Sequence, residues 1–528
     1  MVVTLYDTTL RDGTQREGLS LSVDDKLRIV QKLDTLGIHY VEGGFPGSNP
    51  KDAEFFERAR ELELETAAVS AFGSTCRKYT APEDDEGLSA LLATGCSALC
   101  VFGKAWDLHV TETLQTTLEE NVRMVRDSVA YLKAAGRTVF FDAEHFFDGY
   151  AHNADYAIEV VRAAAAAGAD AVVLCDTNGG TLPHEVLRAT GVVALEVDAP
   201  LGIHAHNDGG CAVANSLLAI EAGCTHVQGT INGYGERAGN ADLTAIIPAL
   251  VLKMDRPCIS RDQLKLITEV AHFVAETANV APDPHQPYVG ASAFAHKGGV
   301  HASAAARLPE AYEHVGPAAV GNLARVVVSE LAGRASLTMK AAELGIDLTG
   351  EPAVTGAVLD SVKELEHKGY SFETADASLE IMLKKGIGSY EPSFTLESFR
   401  CIMEKREDGR VMTEATIKLH VAGHRYIATA EGNGPVNALD KALRIAIGRF
   451  YPRLDEFELT DFKVRVLDEK KGTRAVTRVL IETSDGEKSW GTVGVSENII
   501  EASWEALVDS VEHGLAHPRQ ETRVLDGS

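Results

Sequence analysis

The chain has 528 residues, is 45% hydrophobic, and carries 77 Asp and Glu against 50 Lys and Arg, for a formal net charge of -27. A chain of this length buries several cores and is expected to divide into two or three domains, and acidic residues spread along it argue against nucleic acid as a partner. The N-terminus turns polar within a few residues and no apolar run approaches spanning length, so neither secretion nor a membrane is expected; eight cysteines without a C-x-x-C pair point to a reducing, cytoplasmic setting.

Up to about residue 255, short β-rich runs alternate with longer amphipathic ones. The short runs open at Val2, His39, Glu65, Cys96, Thr138, Asp170, Leu201 and His226. Helix-like stretches between them include Val23–Leu36, Glu119–Ala135 and Tyr156–Ala167, and several close on "LG", "AG" or "TG" just ahead of the next strand. Eight βα units in this length predict an α/β fold, a (β/α)8 TIM barrel.

Active sites of that fold are built at the C-terminal ends of the strands, and polar residues gather there. The first run ends in "DTTLRDGTQ", with Arg11 and Asp12; the second carries Glu42; the fifth carries Asp142 and Glu144; the sixth ends in Asp176, Thr177 and Asn178. The seventh, "LGIHAHND", puts His204 and His206 on one side of a strand, because side chains alternate across it. Barrel closure sets strand one beside strand eight and strand eight beside strand seven, so Asp12 can reach both imidazoles. Two nitrogens and a carboxylate leave coordination positions open, as a catalytic metal requires. Asn240, in "NGYGERAGNADL" after the eighth run, either adds a neutral oxygen or caps the helix that follows. The mixed set suits a divalent cation, Mg, Mn, Co or Zn.

Beyond the barrel, "PHQPYVGASAFAHKGGVHASAAARLPEAYEHV" is rich in Gly, Pro, Ala and His and predicts a lid or crossover. Residues 331 to about 388 read as a helical connector. From Ser393 onward, three strand-like runs followed by a helix occur twice, the helices opening about 64 residues apart, which predicts a duplicated βββα unit. The expected division is 1–275 for the catalytic barrel, 276–388 for lid and connector, and 389–528 for a C-terminal α+β domain.

Taken together and in this order, "LRDGTQ", Glu144, "HAHND", "GERAGN" and "FAHKGGVHASA" resemble the Claisen-condensing acyltransferases among the DRE-type metal-dependent barrels, the 2-isopropylmalate, homocitrate and citramalate synthases. The resemblance implies that the methyl of acetyl-CoA adds to the keto carbon of a 2-oxo acid and that the thioester is then hydrolysed. It implies a divalent metal on Asp12, His204, His206 and Asn240, with Arg11 and Glu144 in catalysis. His301 of "GGVHASA" and Tyr312 are expected in proton transfer, with His296 and His314 as near alternatives, and Thr177 on the substrate carboxylate. Glu42, Phe72 and Phe102 complete the expected substrate-binding set, and the two phenylalanines narrow the pocket toward a methyl group. The duplicated domain resembles the regulatory domain of amino-acid-inhibited members.

The stretch "YEHVGPAAVGNLARVVVSELAGRAS" looks closer to citramalate synthases than to isopropylmalate synthases, which implies pyruvate as the oxo acid, isoleucine as the effector and a homodimer. The alternatives are 2-oxoisovalerate as substrate, an acyl-CoA lyase or aldolase on the same barrel, and a non-catalytic amino-acid sensor. The lid and the duplicated domain count against the lyase, and the intact Asp, His and Arg set against the sensor.

Overall fold

A computed structural model describes residues 2–47, 50–296, 308, 311–326, 334–348, 352–372, 375–405, 407–467 and 475–517. They form two units, Met1–Phe294 with His314–Ala324, and Ala295–Glu313 with Arg325–Ser528.

The first unit is a closed barrel of eight parallel strands: β1 (Thr4–Asp7), β2 (Tyr40–Gly44), β3 (Ala68–Ser74), β4 (Ala98–Lys104), β5 (Thr138–Glu144), β6 (Ala171–Asp176), β7 (Leu201–Ala205) and β8 (His226–Gly229). Closure is made by β1 pairing with β8, Thr4 opposite His226 and Asp7 opposite Gly229. The helix α1 (Val23–Leu36) shows how the connections are set. Ser22 caps its first turn in a reciprocal box with Asp25, and Gly37, in the left-handed region at φ 92°, donates its N–H to the carbonyls of Leu33 and Asp34. The buried stripe Ile29, Val30, Leu33 and Leu36 then lies in the core between the helices and the strand ring.

Inside the ring a second core is made by Tyr6, Ala98, Cys100, Phe140 and Ala171. The His226 ring lies 4.9 Å from Phe140 and 5.3 Å from Tyr6, and burial pulls its pKa down to about 3, so it packs as a neutral aromatic. Above this layer, polar side chains gather toward the C-terminal strand ends.

The second unit opens with a short parallel pair, β9 (Ala295–His296) and β10 (Arg325–Val326), and the helices Arg334–Glu343, Pro352–His367 and Asp376–Gly386. Two three-stranded antiparallel sheets follow: β11 (Thr395–Lys405), β12 (Val411–Val421) and β13 (His424–Gly432), then β14 (Glu458–Val466), β15 (Thr477–Ser484) and β16 (Ser489–Ser496). Each sheet is followed by a helix, Pro435–Ile447 and Ile499–Ala516. In β12 the alternate residues Thr413, Ala415, Ile417 and Leu419 are buried, the last three in a shared core with Ala438, Leu439, Ala442 and Leu443 of the first helix. The two halves share a register shift at the same place in the first strand, Leu396/Ser398 in β11 and Leu459/Asp461 in β14. A common bulge at matching positions is what a duplicated βββα unit leaves behind.

No helix among the described residues is long and apolar enough to cross a membrane.

Candidate active site

The site begins with the turn after β1. Asp7, fully buried, accepts from the backbone N–H and the hydroxyl of Thr9 at 2.9 and 2.8 Å, and burial pushes its carboxyl up to about 7. The Thr9 hydroxyl in turn accepts from the N–H of Ile231, 2.9 Å away, beyond β8. This staple fixes the path of the next residues, Arg11 and Asp12, over the barrel mouth.

Arg11 is clamped from two sides. Its Nε donates to Glu42 Oε1 at 2.6 Å, and its guanidinium carbon lies 3.8 Å from the centre of the Phe72 ring. Glu42 is fully buried and its other oxygen accepts from the Tyr6 hydroxyl at 2.7 Å, with Ser70 3.0 Å from that hydroxyl. Glu42, expected among the substrate-binding groups, is enclosed beside Arg11, with one oxygen taken by Arg11 and the other by Tyr6. Replacing Tyr6 by Phe leaves a buried carboxylate oxygen without its donor, and we expect a loss of about 1–3 kcal/mol of stability, read from denaturant unfolding. An unchanged unfolding midpoint would show that another donor replaces the phenol.

Asp12 faces both histidines. Its Oδ2 lies 3.3 Å from His204 Nε2 and 3.7 Å from His206 Nε2, with all three residues buried. Burial pushes the Asp12 carboxyl up, but Arg11 and the two imidazoles outweigh it and hold the group well below the usual carboxylate range. Burial and the neighbouring His204 pull His206 down to about 4, so it is a neutral imidazole at physiological pH.

The tautomer of His204 follows from its neighbours. Gln228 donates its amide NH2 to Asp142 Oδ1 at 2.9 Å, so its carbonyl oxygen, 2.9 Å from His204 Nδ1, must accept the Nδ1 proton. That leaves Nε2 facing Asp12: burial lowers the His204 pKa, but the hydrogen bond to Asp12 outweighs it and raises the group, so Nε2 holds a proton that a cation would displace, with the other ring nitrogen fixed as in metal-ligating histidines.

Asn240 arrives by a different route. The loop "NGYGERAGN" folds back between β7 and β8 so that Asn240 bridges His206 and the N–H of Ala241 donates to the carbonyl of Ala205 at 2.8 Å. The path requires glycine at Gly239, where φ is +94° and a Cβ would lie 2.1 Å from the Gly233 carbonyl oxygen. Asn240 spends its NH2 on the carbonyl of Tyr234, 3.2 Å away, and its Oδ1 is buried with no hydrogen-bond partner, as is His206 Nδ1. It does not cap the next helix: Asp242 does, accepting from Thr244 N–H. The Asp12 carboxylate and the two imidazoles, whose donor atoms lie within 4.8 Å of one another, fit a divalent cation with mixed N/O ligands, and Asn240, bridged through its backbone to His206, has a buried oxygen left over.

Arg11, Asp12, His204 and His206 line a cavity of about 470 Å³ whose walls also carry Glu144, Thr177, Phe72 and Phe102. The register of β4 and β5 puts Lys104 directly opposite Glu144, and the two side chains form an ion pair. The Thr177 hydroxyl accepts from the backbone N–H of His145 at 2.9 Å, which leaves its own proton free to donate. Phe72 and Phe102 stack with centroids 5.3 Å apart, and Phe45 meets Phe72 edge-on at 6.1 Å, making an apolar wall.

Of the expected site residues, Arg11, Asp12, Glu144, Thr177, Phe72, Phe102, His204 and His206 thus come together at one cavity, while Glu42 is enclosed beside Arg11 and Asn240 lies against His206. His301 falls outside the described residues. Tyr312, 42% exposed, and His296 belong to the second unit. His314 belongs to the first, packed against Tyr288 and Phe294. Sequence reasoning passed over Gln228, Lys104, Gln15, Phe45 and Glu236. For Gln228 the signal was present, since it alternates with His226 along β8 and so faces the barrel interior.

A closed parallel barrel with such a donor set at the C-terminal strand ends, beside a clamped arginine and a carboxylate–lysine pair, defines a metal-dependent TIM-barrel enzyme. Residues 2–274 match the HMGL-like family, residues 288–369 the homocitrate synthase post-HMGL domain-like family, and residues 373–515 the LeuA allosteric (dimerisation) domain. An (R)-citramalate synthase of Geobacter sulfurreducens is 54% identical over 528 residues, 100% of this chain and 99% of the relative. One of Streptomyces coelicolor is 52% identical over 97% of this chain and 96% of its own length. A probable 2-isopropylmalate synthase of Methanopyrus kandleri is 34% identical over 98% of this chain and 99% of its own. The chain belongs to the (R)-citramalate synthase family.

Proposed function

We propose that this chain condenses the acetyl group of acetyl-CoA with pyruvate and hydrolyses the thioester, releasing citramalate and CoA. The observation that carries the reading is the difference in identity between full-length relatives, 54% for the Geobacter citramalate synthase against 34% for the isopropylmalate synthase. The aromatic wall supports the same oxo acid: Phe45, Phe72 and Phe102 close the side of the cavity where a substrate's alkyl group would lie.

Asp12, His204, His206 and Asn240 would hold a divalent cation that supplies Lewis acidity to the carbonyl of the oxo acid. The remaining steps fall to the chain's own groups. Arg11, held by Glu42 and Phe72, has guanidinium protons left to donate to the oxygen that gains charge as the carbon–carbon bond forms. Thr177 donates its free hydroxyl proton to the substrate carboxylate. Glu144 moves a proton at the cavity mouth, with His301 and Tyr312 as further proton-transfer groups.

Thiol release from acetyl-CoA should be fastest with pyruvate among pyruvate, 2-oxoisovalerate and 2-oxoglutarate. A single alkyl carbon in an apolar pocket is worth about 1–3 kcal/mol, so Phe102→Ala is expected to raise kcat/KM for 2-oxoisovalerate relative to pyruvate by about 10-fold or more. Wild-type enzyme that favours 2-oxoisovalerate would overturn the assignment of pyruvate.

The reading extends to control. Residues 1–275 carry catalysis, 276–388 the lid and connector, and 389–528 bind isoleucine in a cytoplasmic homodimer. The LeuA domain match supports regulation, and the exposed Ile402, Met403, Ile427, Phe462 and Val464 on the two sheets support a partner surface. Isoleucine should lower the rate of the full-length enzyme; a response to leucine alone would refute both the effector and, with it, the choice of pyruvate.

A further inference from the structure

The last helix of the second unit ends in two histidines one turn apart, His513 and His517, and both face the same buried carboxylate. Glu380, from the helix Asp376–Gly386, has a side chain only 3% exposed. Its Oε2 lies 3.2 Å from His513 Nδ1 and its Oε1 lies 3.1 Å from His517 Nε2.

The two rings are held differently. His517 Nδ1 lies 2.9 Å from the carbonyl oxygen of His513 and must donate to it. His517 Nε2 faces Glu380 Oε1 and can hold there either a proton shared with that carboxylate or a cation. His513 Nδ1 is buried and makes no hydrogen bond, although it too points at the carboxylate. Lys384 reaches Glu380 from its own helix, but an ammonium on one oxygen does not give either imidazole a partner.

We propose that Glu380, His513 and His517 form a second divalent metal site, for a borderline transition cation of the zinc class, separate from the site in the barrel. The three residues each offer one donor atom within 4.8 Å of the others, close enough for one cation to reach all three with small side-chain adjustments. A backbone carbonyl that fixes the other ring nitrogen, as His513 does for His517, is the support that metal-ligating histidines use. His517 is 44% exposed along its side chain, which gives a solvent cation an entry path and leaves a fourth position for water. Bound there, the cation would tie the helix Asp376–Gly386 to the helix Ile499–Ala516, which already meet through Ser378 and Asp509 at 2.7 Å.

The test is a titration of chelator-treated full-length protein with zinc alone, repeated with cobalt to read its visible absorption. Wild type should take two equivalents per chain and Asp12→Asn one. His513→Gln/His517→Gln should also take one, with the tetrahedral cobalt spectrum of the second equivalent lost and wild-type unfolding behaviour before metal is added. Asp12→Asn should keep that spectrum. A wild-type stoichiometry of one, or two equivalents retained in the double histidine variant, would overturn the proposal, and in either case a proton shared with Glu380 is what balances the imidazoles.

Discussion

Asp12→Asn should lower citramalate formation by at least about 10³-fold while leaving the unfolding midpoint nearly unchanged. The size follows from what the carboxylate holds. It is the one anionic donor among Asp12, His204, His206 and Asn240, and loss of a Lewis acid worth several kcal/mol is worth a factor of ten for every 1.36 kcal/mol. The small effect on stability follows from its surroundings: Arg11 keeps its clamp on Glu42 and Phe72, and His206 is already neutral. Chelation by EDTA should give the same loss and added metal should reverse it in wild type. Full activity in the chelated enzyme would remove the metal from the reaction.

The parts of this site that were legible in the sequence are those governed by one strand at a time. Alternation along β7 is enough to put His204 and His206 on one face, and the closure rule of an eight-stranded barrel is enough to bring Asp12 to them. What joins residues across the barrel was not legible. Gln228 on β8 holds Asp142 on β5 and His204 on β7, a three-way contact fixed by the stagger of the closed ring, which no local pattern encodes. The surroundings of Glu42 are a second case: its strand-end position suggested a group open to substrate, and no local pattern shows that Tyr6, from the neighbouring strand, and Arg11 take both of its oxygens.

In the second unit the repeat was visible as a period of about 64 residues because each half must bury its own sheet face under its own helix, and amphipathic patterns record that. The contacts made by the helix Asp376–Gly386 were not visible. Leu379 and Leu383 share a core with Val493 of β16, and Ser378 donates to Asp509, so this helix packs with residues more than a hundred positions later. Helical periodicity shows that such a face exists and is silent about its partner. The Glu380, His513 and His517 cluster escaped for that reason: the histidine pair is local, and the carboxylate is not.

Glu144→Gln is expected to lower kcat by about 10²–10⁴-fold with little change in KM for pyruvate, the effect of removing a proton-transfer group. The competing account is that Glu144 only fastens two strand ends, since its carboxylate pairs with Lys104 directly across the β4–β5 register. The two accounts separate on which charge is removed. An ion pair whose side chains are 17% and 24% exposed is broken equally by removing either charge, so a fastening role predicts the same effect from both sides. Lys104→Met breaks the same pair and keeps the carboxylate, so proton transfer by Glu144 predicts a much smaller loss of kcat in Lys104→Met than in Glu144→Gln. Equal losses in the two variants, or wild-type kcat in Glu144→Gln, would leave the carboxylate with a fastening role and move the proton to His301 or Tyr312.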